Sequence, residues 1–190
     1  MDGPLSPLES GEHSDLLNYI NIVTRLPLHR FCPLDPARSE IRLITPTLIE
    51  SSPLLVSFEE CLPHDQCKIQ RQAVYRTLVK HGYPLLRFTM EHVPLADNPR
   101  YSALSYTWGD SENKNAIIVD DRILLVTENL YSALIHIEFP EPRVWIDAVC
   151  INQEDELEKS SQVQQMARIY EQAQYTAAWL GEKTEDSDQL

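Results

Sequence analysis

The stretch Val144-Trp145-Ile146-Asp147-Ala148-Val149-Cys150-Ile151-Asn152-Gln153 decides the fold class. Its apolar run, over 144–149, has the pattern of a strand buried on both faces of a parallel sheet. Asp147 places one carboxylate inside that run. Burial of a carboxylate is costly, so Asp147 is expected either to be hydrogen-bonded or to end the strand and face a crevice. The run breaks at Asn152-Gln153-Glu154-Asp155, and a helical pattern follows with Val163, Met166, Ala167, Tyr170 and Ala173 on one side. Asp155 is expected to cap that helix, with Glu158 returning the bond in a capping box. Strand, polar turn and helix make an α/β unit, and in such sheets ligands collect beyond the carboxyl ends of the strands.

Working outward, 175–180 reads as a further buried strand that Gly181 ends. Upstream, 103–107 reads as a strand entering the sharp turn Trp108-Gly109-Asp110. Two apolar runs, 116–119 and 122–126, flank Asp120-Asp121 and predict a β-hairpin. Leu130, Ala133, Leu134 and Ile137 form one helical face, closed by Pro140 and Pro142. Strands are expected at 40–44, 54–58 and 85–93. Ile69, Ala73, Val74, Leu78 and Val79 suit a helix ending at Gly82. Leu16, Leu17, Ile20 and Val23 mark a short amphipathic helix that Pro27 stops. Residues 1–14 read as a disordered tail.

The chain has 190 residues, with 29 Asp and Glu against 16 Lys and Arg, a formal net charge of −13. That balance argues against a nucleic-acid partner, which needs a basic face to displace counterions, and against an anionic membrane surface. No apolar run approaches the roughly 20 residues of a membrane helix, and the N-terminus lacks a signal-peptide pattern. Four cysteines, Cys32, Cys61, Cys67 and Cys150, do not make a disulfide framework, which points to a reducing, cytoplasmic setting. Cys61-x-x-His64-x-x-Cys67, with His29-x-x-Cys32 upstream, offers zinc-type ligands, but the spacing matches no paired-knuckle form, and no metal is expected.

Three blocks carry a family resemblance. The block at 101–110, Tyr-Ser-Ala-Leu-Ser-Tyr-Thr-Trp-Gly-Asp, resembles the first signature of the fungal heterokaryon-incompatibility (HET) domain. Val126-Thr127-Glu128-Asn129-Leu130 resembles the second, and 145–153 the third. Similarity continues through Glu158, Gln162, Met166, Tyr170 and Trp179, and reaches upstream to Glu40-Ile41-Arg42-Leu43. The HET-like region so defined covers about 40–190, with its core at 101–190. Residues 15–100 form a helix and β lead-in, with a possible insertion at 66–84. The resemblance implies an α/β fold, flavodoxin- or TIR-like: a mostly parallel sheet flanked by helices, with an added N-terminal β region and hairpin. It implies a module of non-self recognition whose partners are other proteins, or a second copy of itself, and whose output is programmed cell death. Through the kinship proposed between HET and TIR domains it also implies an alternative, cleavage of NAD(P) as substrate. The Arg-x-Trp-x-x-Gln-Glu-like segment of the family finds no match before Leu190, which implies a domain incomplete at its C-terminus and lacking the expected catalytic glutamate.

The ligand-binding candidates are Ser105, Tyr106, Trp108, Gly109, Asp110, Asp147, Asn152 and Gln153. Asp110 and Asp147 would line one crevice and order a ribose or a polar loop; alternatively, Asp110 closes the Gly109 turn and Asp147 caps a loop N–H. Trp108 would stack on a base or cover the end of the core. Asn152 and Gln153 would bind a ligand or shape the turn before the helix. The acids Glu154, Asp155, Glu156 and Glu158 suit that helix's dipole themselves and would repel a phosphate. Glu158 is the one weak catalytic candidate, and its capping role accounts for it fully.

Overall fold

A computed structural model of the chain describes residues 19–47, 64–81, 85–110 and 112–181. The expected tail at 1–14, the strand at 54–58, Cys61, and the side chains of His64 and Cys67 lie outside the described residues. Among the described residues seven strands form one sheet: β1 (Glu40–Pro46), β2 (Arg87–Pro94), β3 (Ser102–Tyr106), β4 (Lys114–Val119), β5 (Arg122–Thr127), β6 (Val144–Ile146) and β7 (Tyr175–Trp179). The helices described with them are α1 (His64–His81), α2 (Glu128–His136), α3 (Asp147–Cys150) and α4 (Glu156–Gln172). A further helical turn covers 19–23.

The strand order is β5-β4-β2-β1-β6-β3-β7. The class is α/β, as expected, but the sheet is mixed rather than mostly parallel. β2/β4, β3/β6 and β3/β7 run parallel, whereas β1/β2, β1/β6 and β4/β5 run antiparallel. The reason is that β1 sits in mid-sheet and runs against both neighbours. The strands β6-β3-β7 make one parallel block, and β2/β4 make a separate parallel pair.

Several sequence expectations need correction. The run at 144–149 is not one strand: β6 ends at Ile146, and Asp147 opens the short helix α3. An unbroken apolar run has no periodicity to separate the two. β7 is an edge strand rather than a buried one, with only Ala177 buried. On α4, Val163 and Ala167 face outward, while Gln162 and Ile169 are buried and Met166, Tyr170 and Ala173 pack on the core. The Gln162 side chain is held inside because its Nε2 donates to the Glu40 carbonyl at 2.9 Å.

Other elements form as their residues dictate. Asp120 and Asp121 both adopt positive φ, 48° and 58°, the conformation a two-residue hairpin demands. Thr127 caps α2 through Leu130 N–H, and Asp155 caps α4 through Leu157 and Glu158 N–H. Two apolar cores lie on opposite faces of β4, since side chains alternate along a strand. Ile117 and Val119 join the main core around Trp145, Tyr101 and Leu104. Ala116 and Ile118 join a second one with Val23, Leu26 and Val74. The Tyr101 hydroxyl fixes α4 over the sheet by donating to the Ile169 carbonyl at 2.5 Å. No described helix is long and apolar enough to cross a membrane.

Candidate functional site

β3 and β6 are parallel neighbours, with Leu104 opposite Ile146. Their carboxyl ends therefore emerge at the same rim. Two residues beyond β3, the Trp108 indole Nε1–H donates to Asp147 Oδ2 at 2.9 Å. Oδ1 of Asp147 accepts from Ala148 N–H at 2.7 Å. Both oxygens are thus occupied from within. Burial pushes the Asp147 carboxyl above the usual range, and these two hydrogen bonds offset part of that push.

Behind Asp147 lie two phenols. Burial holds the Tyr106 hydroxyl far above its ordinary pKa, with Asp147 and Tyr170 adding to the effect, and this hydroxyl has no hydrogen-bond partner among the described residues. Tyr170 donates to the Leu104 carbonyl at 3.1 Å and lies within reach of Ser105; burial pushes it up to about 12. Neither phenol is poised to exchange a proton near neutrality.

Asp110 does not join this group. Its Oδ1 accepts from Glu112 N–H and its Oδ2 from Asn113 Nδ2, each at 2.8 Å. It closes its own turn. Gly109 has φ +69°, and a Cβ there would meet the Cβ of Asn129 at 3.3 Å. A side chain at that position would be both strained and crowded.

Glu158 is engaged elsewhere. Arg42 donates to both of its oxygens, Nη1 to Oε1 at 2.6 Å and Nη2 to Oε2 at 2.8 Å. Oε1 also accepts from Asn152 N–H at 2.7 Å. The capping box is therefore half formed. Asp155 caps the helix, but Glu158 reaches back to Asn152 rather than to Asp155, whose own N–H donates to the Asn152 carbonyl at 3.2 Å. A carboxylate so committed presents no free oxygen for acid–base work.

Asn152 and Gln153 shape the turn, as one of the two readings had it. Asn152 Oδ1 accepts from Glu154 N–H at 3.2 Å, and Gln153 Nε2 donates to the Asp147 carbonyl at 3.1 Å. They also stand, with Trp108, around a groove of about 570 Å³, within the ordinary range for a binding site. Of the sequence candidates, Trp108, Asn152 and Gln153 line it. Ser105, Tyr106, Gly109, Asp110 and Asp147 do not.

Two residues escaped the sequence reading of the site. Arg42, fully buried, ties β1 to Glu158, to the Cys150 carbonyl at 2.9 Å and to the Cys32 carbonyl at 2.6 Å. Asn129 joins the ends of β3 and β7: its Nδ2 donates to the Thr107 carbonyl at 2.6 Å, and its Oδ1 accepts from Trp179 Nε1–H at 2.9 Å. An arginine inside an apolar strand was the available signal for the first. The second stands in the quoted block at 126–130, but nothing in that block shows that it bridges two strand ends. Burial pushes the Cys150 thiol up to about 12, which makes it an unreactive core residue. Among the described residues no group of three or more His, Cys, Asp or Glu could hold a metal.

Residues 101–190 match the family model described as Heterokaryon incompatibility protein (HET). The chain is also 37% identical, over 112 residues, to Heterokaryon incompatibility protein 6, OR allele, of Neurospora crassa. That similarity covers 51% of this chain and 16% of the Neurospora protein, so the chain spans about a sixth of that relative. No solved structure matches.

Proposed function

We propose a role in heterokaryon incompatibility for this chain, on the premise that residues 101–190 are a HET domain. The observation that carries the reading is that match, supported by the Neurospora relative with its incompatibility name. The module works in the cytoplasm of a fungal cell. It responds to non-self by association with a protein partner or a second copy, and its output is growth arrest or cell death. The geometry favours association over acid–base chemistry, because the oxygens of Asp110, Asp147 and Glu158 are taken up by hydrogen bonds within the chain. Cleavage of NAD(P) is the competing reading, and it draws support from the gathering of Trp108, Asn152 and Gln153 at one groove.

The test is induced proximity. The full chain is fused to a drug-inducible dimerisation tag and expressed in a filamentous fungus. Growth arrest that appears only with the inducer supports the proposal, and identical growth with and without it overturns it. In parallel, the purified chain is incubated with NAD at high local concentration. Stoichiometric or catalytic release of nicotinamide would instead favour the hydrolase.

A further inference from the structure

The turn after α3 holds two side-chain amides in fixed orientations. A carboxamide has one accepting and one donating end, so pinning one end sets what the other offers. Asn152 Oδ1 accepts from Glu154 N–H at 3.2 Å, which leaves its Nδ2 as a free donor. Gln153 Nε2 donates to the Asp147 carbonyl at 3.1 Å, which leaves its Oε1 as a free acceptor. Among the described residues neither free atom has a hydrogen-bond partner, and neither is sealed from solvent. Consecutive residues thus present one donor and one acceptor that the fold itself does not use.

Both residues line the groove of about 570 Å³. Trp108 lines it too, 45% exposed, its ring orientation set by the bond to Asp147. Leu28, Leu125 and Ile151 supply apolar wall. An apolar groove with a few oriented polar groups is the usual form of a small-molecule site. A held indole favours a flat ring, which it takes in offset stacking.

The charges around the groove cancel. Arg30 has a partner of its own, so Lys114 and Glu154 are left to oppose one another. Burial lowers the pKa of His29, which keeps that imidazole uncharged at neutral pH. Asp155 and Glu156 follow Glu154 directly and disfavour an anion at this rim. A neutral ligand is the electrostatic match. We propose that the groove binds a neutral, planar ring with a cyclic amide edge, stacked on Trp108, its carbonyl accepting from Asn152 Nδ2 and its N–H donating to Gln153 Oε1. The proposal stands apart from the association reading. It competes with the NAD(P) reading for the same groove, since a dinucleotide would bring phosphates to an uncharged site.

The test uses the full chain, with calorimetry and tryptophan fluorescence as readouts. The probe is quinazolinone, a neutral fused ring with a carbonyl beside an N–H. Its derivative methylated on that nitrogen lacks the donor, its carboxylate derivative adds a charge, and NAD supplies the phosphates. Quinazolinone should bind with a dissociation constant below about 1 mM, and the methylated and carboxylate forms about tenfold or more weakly. Asn152→Ser keeps an oxygen for the Glu154 N–H but loses the free donor, and should weaken quinazolinone about tenfold. Absence of quinazolinone binding up to about 1 mM, or equal affinity of the methylated form, overturns the proposal. So does unchanged affinity in Asn152→Ser, or displacement of quinazolinone by NAD at lower concentration than its own. If Asn152→Ser does not fold, the methylated ligand decides on the wild-type chain. Should quinazolinone fail while induced proximity still arrests growth, the ligand class is wrong and the association reading stands.

Discussion

Arg42 and Glu158, 116 positions apart, form a two-pronged ion pair with contacts of 2.6 and 2.8 Å, the arginine side chain wholly buried and the glutamate 9% exposed. It joins the central strand β1 to the first turn of α4. Because Arg42 also holds the carbonyls of Cys32 and Cys150, one guanidinium fixes the N-terminal segment, β1, α3 and α4 together. The lead-in is thereby built into the same sheet as the strands of residues 101–190.

Removing one partner of such a pair strands the other charge. Glu158→Ala should cost on the order of 3–5 kcal/mol, read by urea denaturation. The double variant Arg42→Met with Glu158→Leu should recover much of that loss, since an apolar pair replaces an ionic one. A loss below about 1 kcal/mol in Glu158→Ala would show that the pair is dispensable.

Asp147 should leave a signature in the pH dependence of stability. Its folded-state pKa is raised by burial, so the native state holds its proton more tightly than the unfolded chain. Stability from this group is therefore full below the unfolded carboxylate range and falls as pH rises through the folded pKa. Asp147→Asn removes the titration. The stability of Asp147→Asn relative to wild type should climb as pH rises from about 3 through the raised pKa and then level off. A tenfold tighter hold on the proton in the folded state corresponds to a climb of about 1.4 kcal/mol. A flat difference across that range would contradict the assignment.

Asn129 is a joint between strand ends. Asn129→Ala removes the acceptor of the Trp179 indole and the donor to Thr107, and should cost about 1–3 kcal/mol. Trp179 stacks with His136 at 5.6 Å, so the loss of its anchor should also shift tryptophan fluorescence. Asn129→Asp keeps the acceptor for Trp179 and should retain the spectrum while losing part of the stability. Identical spectra in both variants and wild type would argue against the joint.

Local patterns told the local story. The hairpin around Asp120-Asp121, α2 from its apolar face and Thr127 cap, and the start of α4 at Asp155 were legible because each follows from neighbours in sequence. The parallel block of β3 and β6 was legible as well. The antiparallel place of β1 was not, since strand order is a property of pairings far apart in the chain. The apolar run after Val144 hid the break at Asp147, because full burial erases the periodicity that separates strand from helix. The burial of Gln162 was hidden for the opposite reason. A polar side chain turned inward for one backbone carbonyl looks, in sequence, like a solvent-facing one. At the candidate site, Trp108 and Asp147 were found by their chemistry and their strand ends. That they bond to each other, and that Asp110 turns away, depends on loop geometry no short motif encodes. Arg42 was within the quoted lead-in, yet its partner lay over a hundred residues away.

The sheet takes β1 and β2 from before residue 101 and five strands from after it, and β6 pairs with β1 on one side. A fragment of residues 101–190 would lose that neighbour and leave Glu158 without its arginine. Urea unfolding of the full chain and of this fragment, followed by far-ultraviolet circular dichroism and tryptophan fluorescence, measures whether the lead-in belongs to the folding unit. The full chain should give one coincident cooperative transition and the fragment none. A fragment that unfolds in a sharp transition, with Trp145 buried as in the full chain, would contradict it.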